Sequence, residues 1–162
     1  MNYKLIEHDV QASCARKIKV DDNQHNCSGF VRAVSDDLML LVPGVFANAD
    51  GQLDFMEMIS RTPGIFWSLG KGRVAEPRAV TAAKTGAFVV CGMSSSELQK
   101  NRPDKNVYNG HVAIVVGSWA ATGWPNAWWG QKGGTPGRSE SLSKCFRHLD
   151  REGIRYFAYG QD

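Results

Sequence analysis

The apolar residues of this chain follow one period up to about residue 60 and another beyond residue 87, and no single kind of secondary structure accommodates both. Ile6, Val10, Cys14 and Ile18 recur every fourth residue, so the spacing predicts a helix from about Leu5 to Ile18 with one apolar stripe. The polar stretch DDNQHN interrupts it. Cys27, Phe30, Val31, Val34, Leu38 and Leu41 then resume helical spacing, with Asn26 as N-cap and Pro43 and Gly44 as the stop. Asp50 is read as the cap of a third helix reaching about Ser60. Residues 61–84 read as loop, rich in Pro63, Gly64, Gly70, Gly72 and Pro77, with a short helix opened by Pro77. Beyond it, AFVVCGM at 87–93, HVAIVVG at 111–117, AWWG at 127–130 and IRYFAYG at 154–160 are short, β-branched or aromatic, and bounded by turn residues. They read as strands of an antiparallel sheet. Helices first and strands afterwards predict an α+β domain whose early helices pack on one face of a late sheet.

The chain has 162 residues, 43% hydrophobic and 22% charged, which fits one domain spanning residues 1–162 with a single core. A formal net charge of +3 favours an anionic surface such as a cell wall or a membrane exterior, without choosing between them. Lys and Arg are spread thinly, without a basic run or an aromatic RNA-binding signature, so no nucleic-acid partner is expected. The N-terminus MNYKLIEHDVQ carries Glu7 and Asp9 and lacks an uninterrupted apolar core, so it does not read as a secretory signal. No stretch nears the roughly eighteen apolar residues of a membrane span, and the expectation is a chain made in the cytoplasm without membrane insertion. Cys14, Cys27, Cys91 and Cys145 lie far apart with no C-x-x-C pair, which argues against zinc and against a dense disulfide framework. No cofactor or metal is expected. One bridge, Cys14 to Cys145, is the pairing left open.

Chemistry concentrates at two places. Cys27 stands where the polar loop becomes the second helix, and a helix N-terminus offers unpaired N–H groups and a positive dipole end that stabilise a thiolate. Its pKa is therefore expected to fall. The backbone N–H groups of Cys27 and Ser28 could hold the oxyanion formed when that sulfur attacks a carbonyl. Gly29 is read as leaving room for a sheet to approach the helix end. An inert packed cysteine is the competing reading. Among the histidines, His8 and His148 lie in solvated stretches and His25 precedes the helix in a loop. His111 opens the most apolar strand directly after the turn NG, where a side chain can project into a cleft from a rigid backbone. A strand-end histidine bonded to a carbonyl is the alternative there. Trp119, Trp124, Trp128 and Trp129 cluster just after this strand, as sheet packing or as an apolar wall of a groove.

CSGFV at 27–31, followed some eighty residues later by GHVAIVVG at 110–117, resembles the signature of NlpC-like papain-fold cysteine hydrolases of bacterial cell-wall peptide. The pair of motifs is specific, while the second alone is shared with the CHAP amidohydrolases. FANADGQLDFME after the nucleophile helix resembles, more narrowly, the first family of type VI secretion amidase effectors. The resemblance implies a papain-like (NlpC-like) fold in which Cys27 attacks an amide carbonyl and His111 acts first as base and then as acid. It implies a peptidoglycan amidase cutting the stem peptide between D-glutamate and meso-diaminopimelate. It further implies an antibacterial toxin carried by the type VI tube protein into a recipient's periplasm and a cognate immunity protein; a monomer is expected. This chain has Asn26 where NlpC relatives commonly have Asp. The third member that would orient His111 is sought in WPNAWWGQ: Asn126 is the candidate and Gln131 the reserve, and a backbone carbonyl or a water would serve as well. A papain-like acyltransferase and a non-catalytic cell-wall-binding module are the rival readings.

Overall fold

The structure, a computed structural model, describes residues 4–40, 48–62 and 66–160. Four helices come first: α1 (Glu7–Lys17), α2 (Asp21–Gln24), α3 (Cys27–Asp37) and α4 (Ala49–Ile59). Strand β1 (Phe66–Lys71), helix α5 (Glu76–Lys84), strand β2 (Phe88–Met93) and helix α6 (Ser95–Lys100) follow. Strands β3 (His111–Trp119), β4 (Pro125–Trp129), β5 (Gly137–Ser141) and β6 (Arg155–Tyr159) complete an antiparallel sheet of order β1-β6-β2-β3-β4-β5. Two 3-10 turns, Leu142–Lys144 and His148–Gly153, lie between the last two strands.

The α+β expectation holds, with the early helices on one face of the sheet, and the later helix α5 covers the other. Val10, Cys14, Phe30, Val31, Val34, Leu53 and Met56 of α1, α3 and α4 pack against Phe88, Val90, Val112, Ile114 and Phe157. On the other face Ala79, Val80 and Ala83 of α5 meet Val89, Cys91, Ala113, Val115, Tyr156 and Ala158. Successive strand residues point to opposite faces. A strand covered on both sides must therefore be apolar throughout, and every residue of β2 is buried. Glu76 and Arg151 tie α5 to the C-terminal turns through two hydrogen bonds of 2.8 and 2.7 Å, with Arg151 lying 4.3 Å over the Trp124 ring.

Local chemistry accounts for the elements that were anticipated. Asn26 caps α3 by accepting the Gly29 N–H at 2.8 Å. Pro77 sits in the first turn of α5, where its missing N–H costs nothing. Asn48 caps α4, accepting from Gly51 N–H at 2.8 Å, so Asp50 lies inside the first turn rather than at the cap. Helix α3 closes at Asp37, and the proposed stop at Pro43 and Gly44 lies outside the described residues, as do Pro63 and Gly64. The loop reading of 61–84 is corrected by β1. The sheet also separates Cys14, buried on the α1 face, from Cys145, packed on the α5 face, so that pair cannot bridge, and all four thiols are free.

One charge cluster braces the segment before β3. Asp150 is fully buried and accepts from both Arg102 guanidinium nitrogens at 2.8 and 2.7 Å, from Asn101 at 3.0 Å and from the Arg147 N–H at 2.8 Å. Removing one partner strands a buried charge. Asp150→Ala is expected to cost about 3–5 kcal/mol, read as a lower urea midpoint at unchanged m-value. A loss under about 1 kcal/mol, as for a surface pair, would contradict this packing.

Candidate active site

The N-terminus of α3 is pressed against the end of the sheet. Gly130, just past β4, lies so close to the preceding loop that a Cβ there would run into the carbonyl oxygens of Asn23 and Asn26. The next residue, Gln131, donates its N–H to the Gln24 carbonyl at 2.8 Å. Gln52 of α4 donates to the Ser28 carbonyl at 2.9 Å from a fully buried position. Cys27 is thus fixed between helix and sheet. Gly29 has a different reason from the one expected: a Cβ there would collide with the Asn26 side chain, so the small residue accommodates the cap and not the sheet.

The surroundings of the sulfur place it beside β3. Burial pushes the Cys27 thiol above its ordinary range, and the Asp50 charge adds to the rise; backbone hydrogen bonds from Val112, Ser28 and Cys27 act in the opposite direction. The expected fall in pKa is therefore corrected, because desolvation outweighs the helix N-terminus. Val112 directly follows His111, so the thiol meets the same strand end that carries the imidazole. Asp50 accepts the Ser95 N–H at 2.8 Å and the Ser95 hydroxyl, joining α4 to the start of α6 next to this site.

His111 shares its strand face with Ala113 and Val115, and its ring packs edge-on against Phe146 at 5.4 Å between centroids and 70° between planes. It is 9% exposed and its Nε2 is buried without a hydrogen-bond partner. Burial pushes the imidazole pKa down from 6.5 to about 4, with the Arg102 charge adding to it. The ring is neutral at pH 7.

Asn126 is not brought to His111. Its Nδ2 donates to Ser118 Oγ at 3.0 Å. Ser118 stands seven residues further along β3, roughly 23 Å away at about 3.3 Å per residue. Gln131 lies two residues beyond the end of β4, with its N–H turned to the Gln24 carbonyl. The Gln131 side chain lines a cavity together with Trp129 and Cys145. The other tryptophans divide: Trp124 lies buried under Arg151, Trp128 packs on the α1 face, and Trp119 is half-exposed. His25, the residue after α2, lies within 3.7 Å of Asp21 of that helix, as a solvated surface residue.

Sequence reasoning missed α6 and the Asp50–Ser95 link. The signal was Ser94 followed by Glu97, a capping box in which Ser94 accepts from the Glu97 N–H at 3.3 Å and Glu97 from the Ser94 N–H at 2.7 Å. The segment Ser141–Phe146, which brings Phe146 against His111, had no periodic signal.

No protein-family model matches the chain. Its sequence is similar to that of the peptidoglycan amidase Tse1 of Pseudomonas aeruginosa, 28% identical over 142 residues that cover 85% of this chain and 77% of that protein. The chain is thus a distant relative of an amidase that acts on peptidoglycan.

The buried imidazole has a consequence for folding. Its pKa is lower in the folded chain, so the unfolded chain takes up the proton first as pH falls. Stability from this group is complete above pH 6.5 and is lost between 6.5 and about 4. The loss is expected to be on the order of 3 kcal/mol. Urea unfolding at pH 7 and pH 4.5 measures it in the wild type, and His111→Ala removes that share of the pH dependence. An identical pH slope in both proteins would contradict a buried neutral His111.

Proposed function

We propose that this protein is a cysteine amidase of the peptidoglycan stem peptide, with Cys27 as nucleophile and His111 as its acid–base partner. The observation that carries the reading is the position of the Cys27 thiol at the N-terminus of α3, against the amide that follows His111. Similarity to a peptidoglycan amidase supports the substrate class.

The raised thiol pKa and the lowered imidazole pKa define the resting state as neutral thiol and neutral imidazole. Proton transfer therefore accompanies attack rather than preceding it. The Cys27 proton passes to His111 as sulfur bonds to the amide carbon, and the oxyanion is received by the backbone N–H groups of Cys27 and Ser28. Collapse breaks the C–N bond, and the leaving amine takes the proton from His111. Water, deprotonated by His111, then cleaves the thioester to a free carboxylate and restores the thiol. The scissile bond in this reading joins the γ-carboxyl of D-glutamate to meso-diaminopimelate. The same reading makes the protein a type VI effector acting in a recipient's periplasm, within a papain-like (NlpC-like) single domain, and paired with an immunity protein that covers this cleft.

Digestion of purified sacculi, with fragments identified by mass, tests it. Wild type is expected to release stems with a new diaminopimelate amine and a free glutamyl γ-carboxylate. Cys27→Ala and His111→Ala should each lower the rate at least about thousandfold, since nucleophile and base act as a unit. Asn126→Ala should stay within about twofold of wild type, since small changes away from the reacting groups have small effects. Wild-type rates from Cys27→Ala would reject the reading.

A further inference from the structure

Beside the proposed nucleophile lies a cavity of about 440 Å³ whose lining includes Trp129, Gln131, Thr135, Glu140, Lys144 and Cys145. Two of its walls are continuous with the reactive centre. Gln131 follows Gly130, which abuts the Asn26 carbonyl at the Cys27 helix end, and its own N–H is bonded to Gln24. Cys145 precedes Phe146, the residue against which the His111 ring packs. The cavity is thus bordered by the immediate chain neighbours of residues that touch the reactive centre.

The charge at the cavity is specific. Lys144 Nζ reaches Glu140 Oε1 at 2.6 Å, with its side chain 60% exposed. An ammonium has three donors and no acceptor, and Glu140 occupies one. Glu140 is already committed, accepting from Lys144 and from the Arg138 N–H at 3.3 Å, and Lys144 holds its carboxyl below the usual range. The charged residues of the lining are one cation and one anion, Lys144 and Glu140. The ammonium donors that Glu140 leaves unused can take an anion, while Trp129 supplies an apolar wall and Gln131 and Thr135 supply neutral polar groups.

We infer that this cavity is a substrate subsite in which Lys144 recognises a free carboxylate flanking the scissile amide. The inference rests on the amidase reading and specifies how it selects substrate. A γ-linked glutamyl residue keeps its α-carboxylate, and diaminopimelate carries a carboxylate at its second amino-acid centre. Both present the same chemistry, and amidation of either removes the charge.

Three stem peptides separate the sources: one with both carboxylates free, one amidated at the glutamyl α-carboxyl, and one amidated at the second centre of diaminopimelate. Wild type is expected to lose about tenfold in kcat/KM on one of the two amides, the size of one charged contact. Lys144→Gln should lose about tenfold on the free peptide, mainly through KM, and become indifferent to that amide. Lys144→Arg should keep the preference. Equal cleavage of all three peptides by wild type, or undiminished discrimination by Lys144→Gln, would overturn the subsite while leaving the amidase reading intact. Failure of wild type to cleave any of the three would remove both.

Discussion

Everything proposed for this protein depends on one close contact, the seating of the N-terminal end of α3 against the end of the sheet. It is made by backbone. The chain at Gly130 approaches Asn23 and Asn26 more closely than any side chain would permit, and Gln131 is tied to Gln24 across the same gap. The Asn26 cap then fixes the first turn of α3, which carries the Cys27 sulfur. A longer residue at 130 would lift β4 from the helix and move the cavity wall with it.

Burial at that contact sets the chemistry as well as the geometry. A helix N-terminus in open solvent favours a thiolate, but the sheet that holds Cys27 in place also removes water from it, and the second effect is larger. His111 is desolvated by Phe146 and the α5-side core and is held neutral. In the proposed mechanism, two neutral groups at rest leave the thiol less open to adventitious oxidation, and charge develops only when a carbonyl is present to receive it. The buried Arg102–Asp150 pair steadies the segment leading into β3 and keeps a positive charge near the imidazole.

The parts of this arrangement legible in the sequence are those decided locally. Asn26 before an apolar period of 3.6 marks a capped helix, and His111 after Asn109 and Gly110 marks a strand start, whatever else the chain does. The central strands were legible because burial on both faces leaves an unbroken apolar run. Edge strand β5, with the sequence GRSES, carries no such run, since its pattern of exposure imposes little on its side chains. The distance of Asn126 from His111 depends on register between β3 and β4, and the acidity of Cys27 on what covers it. Neither is encoded within a few residues of the group concerned, and both expectations needed correction.

The central claim is that a covalent bond forms between Cys27 and the acyl half of the substrate. Acid quenching during turnover of a stem peptide, followed by peptide mapping by mass spectrometry, looks for that thioester directly. The account predicts an acyl adduct on the peptide containing Cys27, increased in lifetime when His111 is replaced by alanine and acylation is driven by an activated ester. An adduct on Cys145 instead, with Cys27 unmodified, would contradict it.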